Sequence, residues 1–60
     1  MAFLAVDKDG DEYIFGSEPD RYDDMFICSE FDNKAFNLPD GSIEKLVGKK
    51  LTWDDEPVEI

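Results

Sequence analysis

Residues 1–15 read MAFLAVDKDGDEYIF, and this stretch predicts the β-hairpin on which the rest of the fold is built. Apolar residues alternate in its first half, which places Leu4 and Val6 on one face of a strand. Asp-Lys-Asp-Gly follows at residues 7–10, and the glycine can take the positive φ that tight hairpin turns need. The aromatic and β-branched residues within 12–15 favour a return strand that pairs with the first.

Two short apolar runs after the hairpin predict two more strands, over residues 25–28 and 35–38. Pro39 is expected to end the second of them, because proline cannot donate to a strand ladder. The acidic stretch 16–24 is expected to be a loop, since its carboxylates have no apolar neighbours to support a packed element. A turn is expected at residues 32–33, where Asp is followed by Asn.

Residues 42–47 are the only helix candidate in the chain. Three apolar residues have the spacing of one helix face: Ile43, Leu46 and Val47. Ser42 is the expected N-cap, and Gly48 is placed to end the helix in the left-handed region. A helix this short depends on tertiary packing, because isolated helices of fewer than about 12 residues are marginal in water.

After the helix, residues 51–53 are expected to be extended and residues 54–57 to turn, while Val58 and Ile60 form a last short strand or a docked tail. The pattern predicts one domain over residues 1–60, of the α+β class: a small antiparallel β-sheet of four to five strands with one short α-helix packed on a face. The expected core residues are Leu4, Val6, Ile14, Phe26, Cys28, Phe36, Leu38, Ile43, Leu46, Leu51, Trp53 and Val58.

The hairpin also carries apolar residues on its second face, where Phe3, Tyr13 and Phe15 point away from the expected core. Two interpretations stay open for this face. In the first, the helix or the acidic loop after the hairpin covers it. In the second, it is a binding face or a dimer interface, where aromatic residues are enriched.

The composition excludes several classes of function. Sixteen Asp and Glu against six Lys and Arg give a net charge of −10, and the chain has no histidine. Direct binding to nucleic acid is not expected, because it depends on Lys and Arg that displace counterions from phosphates. No catalytic residues are expected either, since the commonest general base is absent and a chain of 60 residues has little interior in which to shift a pKa.

Neither a metal nor another cofactor is expected. Cys28 is the only cysteine, so the chain can form no internal disulfide and no thiolate zinc site. Asp7, Asp9 and Asp11 have the spacing that opens a helix-loop-helix calcium loop, but Glu12 stands where that loop needs glycine and the flanks are expected to be strands. A module that responds weakly to divalent ions remains a minor alternative.

The two ends of the chain, MAFLAVD at 1–7 and LPDGSIEKLVGKKLTWDDEPVEI at 38–60, resemble short uncharacterised acidic proteins of bacteriophages and prophages of gut bacteria. That group has no assigned activity, so the resemblance implies no functional residue. Small acidic phage proteins look like inhibitors of host machinery, including anti-CRISPR and DNA-mimic proteins. We expect a cytoplasmic protein with no membrane segment, in the host cytoplasm if it is phage-encoded, because no basic leader or long apolar run is present.

The leading hypothesis is a non-enzymatic binding protein that docks on a basic protein surface, such as that of a host nuclease, and blocks it. Its expected partner-binding residues are Asp20, Asp23, Asp24, Asp54, Asp55 and Glu56. The alternative is a small structural or accessory protein that self-associates as a homodimer, through the second apolar face or an edge strand.

Overall fold

The computed structural model describes residues 2–28 and 34–60, and the chain has the small α+β fold that its sequence predicts. In chain order the elements are β1 (Phe3–Val6), β2 (Glu12–Phe15), β3 (Asp20–Tyr22), β4 (Met25–Ile27), β5 (Ala35–Leu38), α1 (Ser42–Val47) and β6 (Val58–Glu59). The turn expected at residues 32–33 lies outside the described residues.

Four of the strands form one antiparallel sheet in the order β5-β2-β1-β6, and β3 and β4 form a separate two-stranded ribbon. The predicted hairpin is confirmed: Leu4 lies opposite Ile14 in the β1–β2 pair, and Gly10 in the turn has a φ of 91°. β5 and β6 pair with the outer sides of β2 and β1. Two strands from later parts of the chain therefore flank the hairpin, one on each side.

Helix α1 packs on one face of this sheet. The buried residues of this layer are Leu4, Val6, Ile43 and Leu51, with Ile14, Leu38, Val47 and Val58 packed around them. At about 25 cal/mol per Å² of apolar surface removed from water, this burial is the main force that holds so short a helix in place.

The β3–β4 ribbon covers the opposite face. Phe26 of β4 is buried with Ala5 and Phe15, and Trp53 packs against this second cluster. The ribbon thus covers the second apolar face of the hairpin.

Part of the ribbon comes from the stretch that was expected to be a loop. The loop prediction for residues 16–24 was wrong at β3, because pairing with β4 supplies the backbone partners that local sequence could not reveal.

Two predicted core residues are exposed instead. Phe36 is 64% exposed and Leu46 is 59% exposed. Phe36 and Leu38 lie on the same face of the edge strand β5, but only Leu38 packs into the cluster beneath α1. Within α1, Ile43 is buried and Val47 half-buried, while Leu46 faces water, so the three do not share one buried face.

The helix begins and ends on glycines. Gly48 ends it with a φ of 82°, as expected, but the N-cap is Gly41 rather than Ser42, and it offers no side-chain cap. Ser42 is already helical, and its hydroxyl donates to the carbonyl of Pro39 at 2.6 Å. Downstream, residues 51–53 form no strand; the chain turns there, and the Asp55 amide donates to the Thr52 carbonyl at 3.0 Å.

Candidate functional site

Acidic segments that are far apart in the sequence meet through one backbone hydrogen bond and through two hydrogen bonds from the Arg21 side chain. The amide of Lys8, in the β1–β2 turn, donates to the carbonyl of Asp24 at 3.2 Å, in the turn between β3 and β4. The guanidinium of Arg21 on β3 donates to the carbonyls of Trp53 at 2.6 Å and Asp55 at 3.2 Å. These contacts link the three acidic segments of the sequence into one region.

We name the exposed carboxylates of this region the acidic surface: Asp9, Asp11, Asp20, Asp23, Asp24, Asp54 and Glu56. Five of the six predicted partner-binding residues belong to it. The sixth, Asp55, is half-buried. Its carboxylate accepts a hydrogen bond from the Thr52 amide at 2.8 Å, so one of its oxygens stabilises the turn. Sequence reasoning missed Asp9 and Asp11 as members, because only the contact between Lys8 and Asp24 brings them to this side.

Arg21 anchors the acidic surface to the sheet. Its guanidinium carbon lies 4.8 Å from the centre of the Phe26 ring and 4.3 Å from that of the Trp53 ring. Those rings contact each other edge-on, with centroids 5.2 Å apart. The planar guanidinium can stack its face on rings while its N–H groups donate within its own plane, which lysine cannot do. One cation therefore holds two acidic segments together at fixed positions.

A groove of about 650 Å³ lies beside the acidic surface, between the β1–β2 turn, the start of α1 and the segment before Trp53. Its lining mixes apolar side chains such as Val6 and Leu51 with carboxylates such as Asp40 and Asp54. Across residues 2–28 and 34–60, no three Asp, Glu or Cys side chains come together in a way that could hold a metal ion. The divalent-ion alternative therefore gains no support from this region.

Two acids of the β1–β2 hairpin, Glu12 and Asp7, have structural roles. Glu12 is 8% exposed, and its two carboxylate oxygens accept the amides of Gly41 at 2.7 Å and Ile43 at 2.8 Å. It caps α1 from 31 residues away, as measured to Ile43. A signal was present in the sequence, because Glu12 alternates with Ile14 and so faces the same side of the sheet as the core.

Asp7 plays the equivalent role on the ribbon side. It is 9% exposed, and its Oδ1 accepts the buried amide of Phe26 at 3.0 Å. Burial raises the pKa of Asp7, the nearby carboxylates of Asp11, Asp9 and Asp24 raise it further, and the hydrogen bond from Phe26 opposes both effects. The fold therefore disfavours the ionised form of the Asp7 side chain.

We expect Asp7→Asn to raise the free energy of unfolding at pH 7. Because the folded-state pKa is raised, protonation of Asp7 stabilises the fold; that stability is fully present below the unfolded pKa of about 3.9 and is lost as pH rises through the raised pKa. Asparagine keeps an oxygen for the Phe26 amide without the charge. Urea unfolding between pH 3 and 8 measures the effect, and the gap between variant and parent should close towards pH 3.

The companion variant Asp7→Ala removes the acceptor as well as the charge. It leaves a buried amide without a partner, which costs about 1–3 kcal/mol, so it should be less stable than the parent at low pH. A parent protein that gains stability on Asp7 ionisation, with Asp7→Asn weaker at pH 7, would contradict this account.

The chain matches no model of a protein family, no curated protein sequence and no solved structure. Over residues 2–28 and 34–60, no helix has the length and apolar character required to cross a membrane.

Proposed function

We propose that this protein is a non-enzymatic binding module whose acidic surface docks on a basic surface of a nucleic-acid-processing protein and blocks it. The observation that carries the proposal is the convergence of three acidic segments through the contacts of Lys8 and Arg21. Seven exposed carboxylates lie on the segments that these contacts join. Fixed carboxylates can occupy the positions at which a basic cleft would otherwise receive phosphates.

The charge distribution supports an electrostatic mode of association. A net charge of −10 attracts a basic partner over long distances and raises the association rate. Salt screens this attraction, since the Debye length falls from about 30 Å at 0.01 M to about 3 Å at 1 M ionic strength. Strong salt dependence of binding is therefore expected. The resemblance to phage proteins makes a host nuclease the first partner to test.

The test compares two variants of equal net charge. The first neutralises the acidic surface through Asp23→Asn, Asp24→Asn, Asp54→Asn and Glu56→Gln. The second neutralises exposed acids elsewhere through Glu18→Gln, Asp40→Asn, Glu44→Gln and Glu59→Gln. Asparagine suits position 23, where the backbone has a φ of 59°. Any difference between the variants reports position rather than total charge.

Each protein is immobilised and used to capture partners from bacterial lysate at about 0.05 M salt, where charges are weakly screened, and at about 0.5 M salt, where they are strongly screened. We expect the parent and the second variant to retain basic nucleic-acid-binding proteins at low salt, and the first variant to lose them at least tenfold. The purified partner should then lose its nucleic-acid cleavage or binding when the parent is added. Capture of neutral partners only, unaffected by salt, or equal loss in both variants would overturn the proposal.

A further inference from the structure

The edge strand β5 is short, but it lacks two other features that commonly protect a sheet edge. It pairs with β2 on one side and, among the described residues, with no strand on the other. Its sequence, Ala-Phe-Asn-Leu at 35–38, contains no charge and no proline, the devices by which edge strands commonly avoid pairing with other chains. Phe36, in the middle of the strand, is 64% exposed.

The hydrogen-bond ladder shows which groups of β5 point outwards. The amide of Gly16 donates to the carbonyl of Lys34 at 3.1 Å, which marks a hydrogen-bonded pair at the end of the β2–β5 ladder. Such pairs alternate along antiparallel strands, so Phe36 opposite Ile14 is the next one. The amides and carbonyls of Ala35 and Asn37 therefore point away from β2, towards the free edge.

We propose that a second copy of this chain pairs with β5 along that edge, in antiparallel orientation, with Phe36 on the two-fold axis. In this register Ala35 of one copy lies opposite Asn37 of the other, and each pair exchanges both backbone hydrogen bonds. Phe36 faces its own counterpart as a non-hydrogen-bonded pair, in which side chains are closest and aromatic pairs are favourable. Two four-stranded sheets become one continuous sheet.

The backbone groups that point outwards lie symmetrically about Phe36, which suits pairing with a second copy, and the charge distribution favours the antiparallel orientation. β5 ends beside the acidic end of the fold, because Leu38 lies opposite Glu12, next to the β1–β2 turn. Antiparallel pairing therefore sends the two acidic surfaces to opposite ends of the joined sheet, whereas parallel pairing would bring them side by side. A two-fold interface also closes on itself, so no open filament forms.

The interface is small and its salt dependence is diagnostic. One four-residue strand per copy places it at the low end of interface sizes, where association is weak and reversible. Each copy carries a charge of −10, so the copies repel, and salt should strengthen the dimer by screening that repulsion. The docking on a basic partner proposed above should respond to salt in the opposite sense, so either proposal can fail without the other.

Sedimentation velocity of the full chain tests the dimer. We expect the weight-average mass to rise towards that of a dimer with concentration, and to rise further between about 0.05 M and 0.5 M salt. Phe36→Lys should weaken the dimer at least tenfold. Tyr22→Lys is the matched control, because Tyr22 is 65% exposed on the ribbon and the substitution changes the net charge equally. A monomer at all concentrations, or equal effects of both variants, would overturn the proposal.

Disulfide trapping tests the register. The variant Phe36→Cys in a Cys28→Ser background places one thiol on each copy beside the two-fold axis. The two Cα atoms of residue 36 would be about 4.5 Å apart, within the range of about 4.4–6.8 Å that a disulfide accepts. Mild oxidation should give a covalent dimer. Asn37→Cys in the same background is the control, because residue 37 lies opposite residue 35 of the other copy. Faster trapping at 37 than at 36 would show that this pairing is wrong.

Discussion

Glu12→Ala is expected to remove about 3 kcal/mol or more from the free energy of unfolding. The substitution deletes two charge-assisted hydrogen bonds that the carboxylate accepts, a part-buried one from the Gly41 amide and a buried one from the Ile43 amide, each worth about 1.5–3 kcal/mol. A domain of this length has a total stability on the order of 3–9 kcal/mol. Loss of this one carboxylate should therefore remove between about one third and all of the free energy of unfolding.

The helix has no substitute for this cap. Its N-cap residue is a glycine with no side chain, and the Ser42 hydroxyl donates to Pro39 rather than accepting a helical amide. The carboxylate also lies where the helix dipole favours negative charge. When Glu12 is removed, the first turn of α1 frays, and Ile43, only 1% exposed, loses its fixed position over the sheet.

Urea unfolding followed by far-ultraviolet circular dichroism measures this loss. Glu12→Gln should be intermediate, because the amide keeps one acceptor oxygen but turns an NH₂ group towards the second amide. Glu44→Ala is the control, since Glu44 lies in the first turn of the same helix but is exposed. We expect it to fall within about 0.5 kcal/mol of the parent, as exposed substitutions usually do. A similar result for Glu12→Ala would contradict the capping role.

Arg21→Ala is expected to cost about 2 kcal/mol and to separate the two acidic segments that Arg21 joins. The guanidinium is exposed, so its contribution is discounted: cation–π contacts at such sites are worth about 0.5–1 kcal/mol each. Two hydrogen bonds to carbonyls add to this. Arg21→Lys should recover little, because an ammonium cannot donate to both carbonyls while it stacks on two rings.

Trp53 reports the change directly, since it is the only tryptophan in the chain. Without the guanidinium over it, the indole ring should become more accessible to a neutral quencher such as acrylamide, so the quenching of its fluorescence should increase. Lys8→Ala is the matched control: it removes one positive charge from the same region, but the contact of Lys8 with Asp24 uses the backbone amide. Equal quenching and equal stability in both variants would show that Arg21 does not hold the two segments together.

Local sequence patterns predicted the elements whose formation depends on neighbouring residues. The β1–β2 hairpin follows from alternation and a turn glycine, and α1 follows from helical spacing with Gly48 at its end. β3 could not be found in this way. Its residues Asp20 to Tyr22 are all exposed, so no apolar alternation marks them, and the strand exists because β4 pairs with it.

The acidic surface was anticipated only in part. The sequence identified the acids at 20–24 and 54–56 as candidates, but nothing local indicates that these segments adjoin each other and the β1–β2 turn. The contact that joins the first two depends on Arg21, whose partners lie 32 and 34 residues away. Long-range contacts of this kind depend on the assembled sheet, because only the packed Phe26 and Trp53 rings position the guanidinium.

The amino-acid sequence alone determined the net charge, the absence of histidine and the local preference of most segments for strand, turn or helix, since these are properties of residues and their immediate neighbours. Only the tertiary structure decided which carboxylates face water and which, like Glu12 and Asp7, serve buried amides. It also decided that Phe36 stays exposed while Leu38, two residues further along the same edge strand, packs beneath the helix. The burial of a side chain depends on which residues from distant parts of the chain pack against it, and the local sequence does not specify those residues.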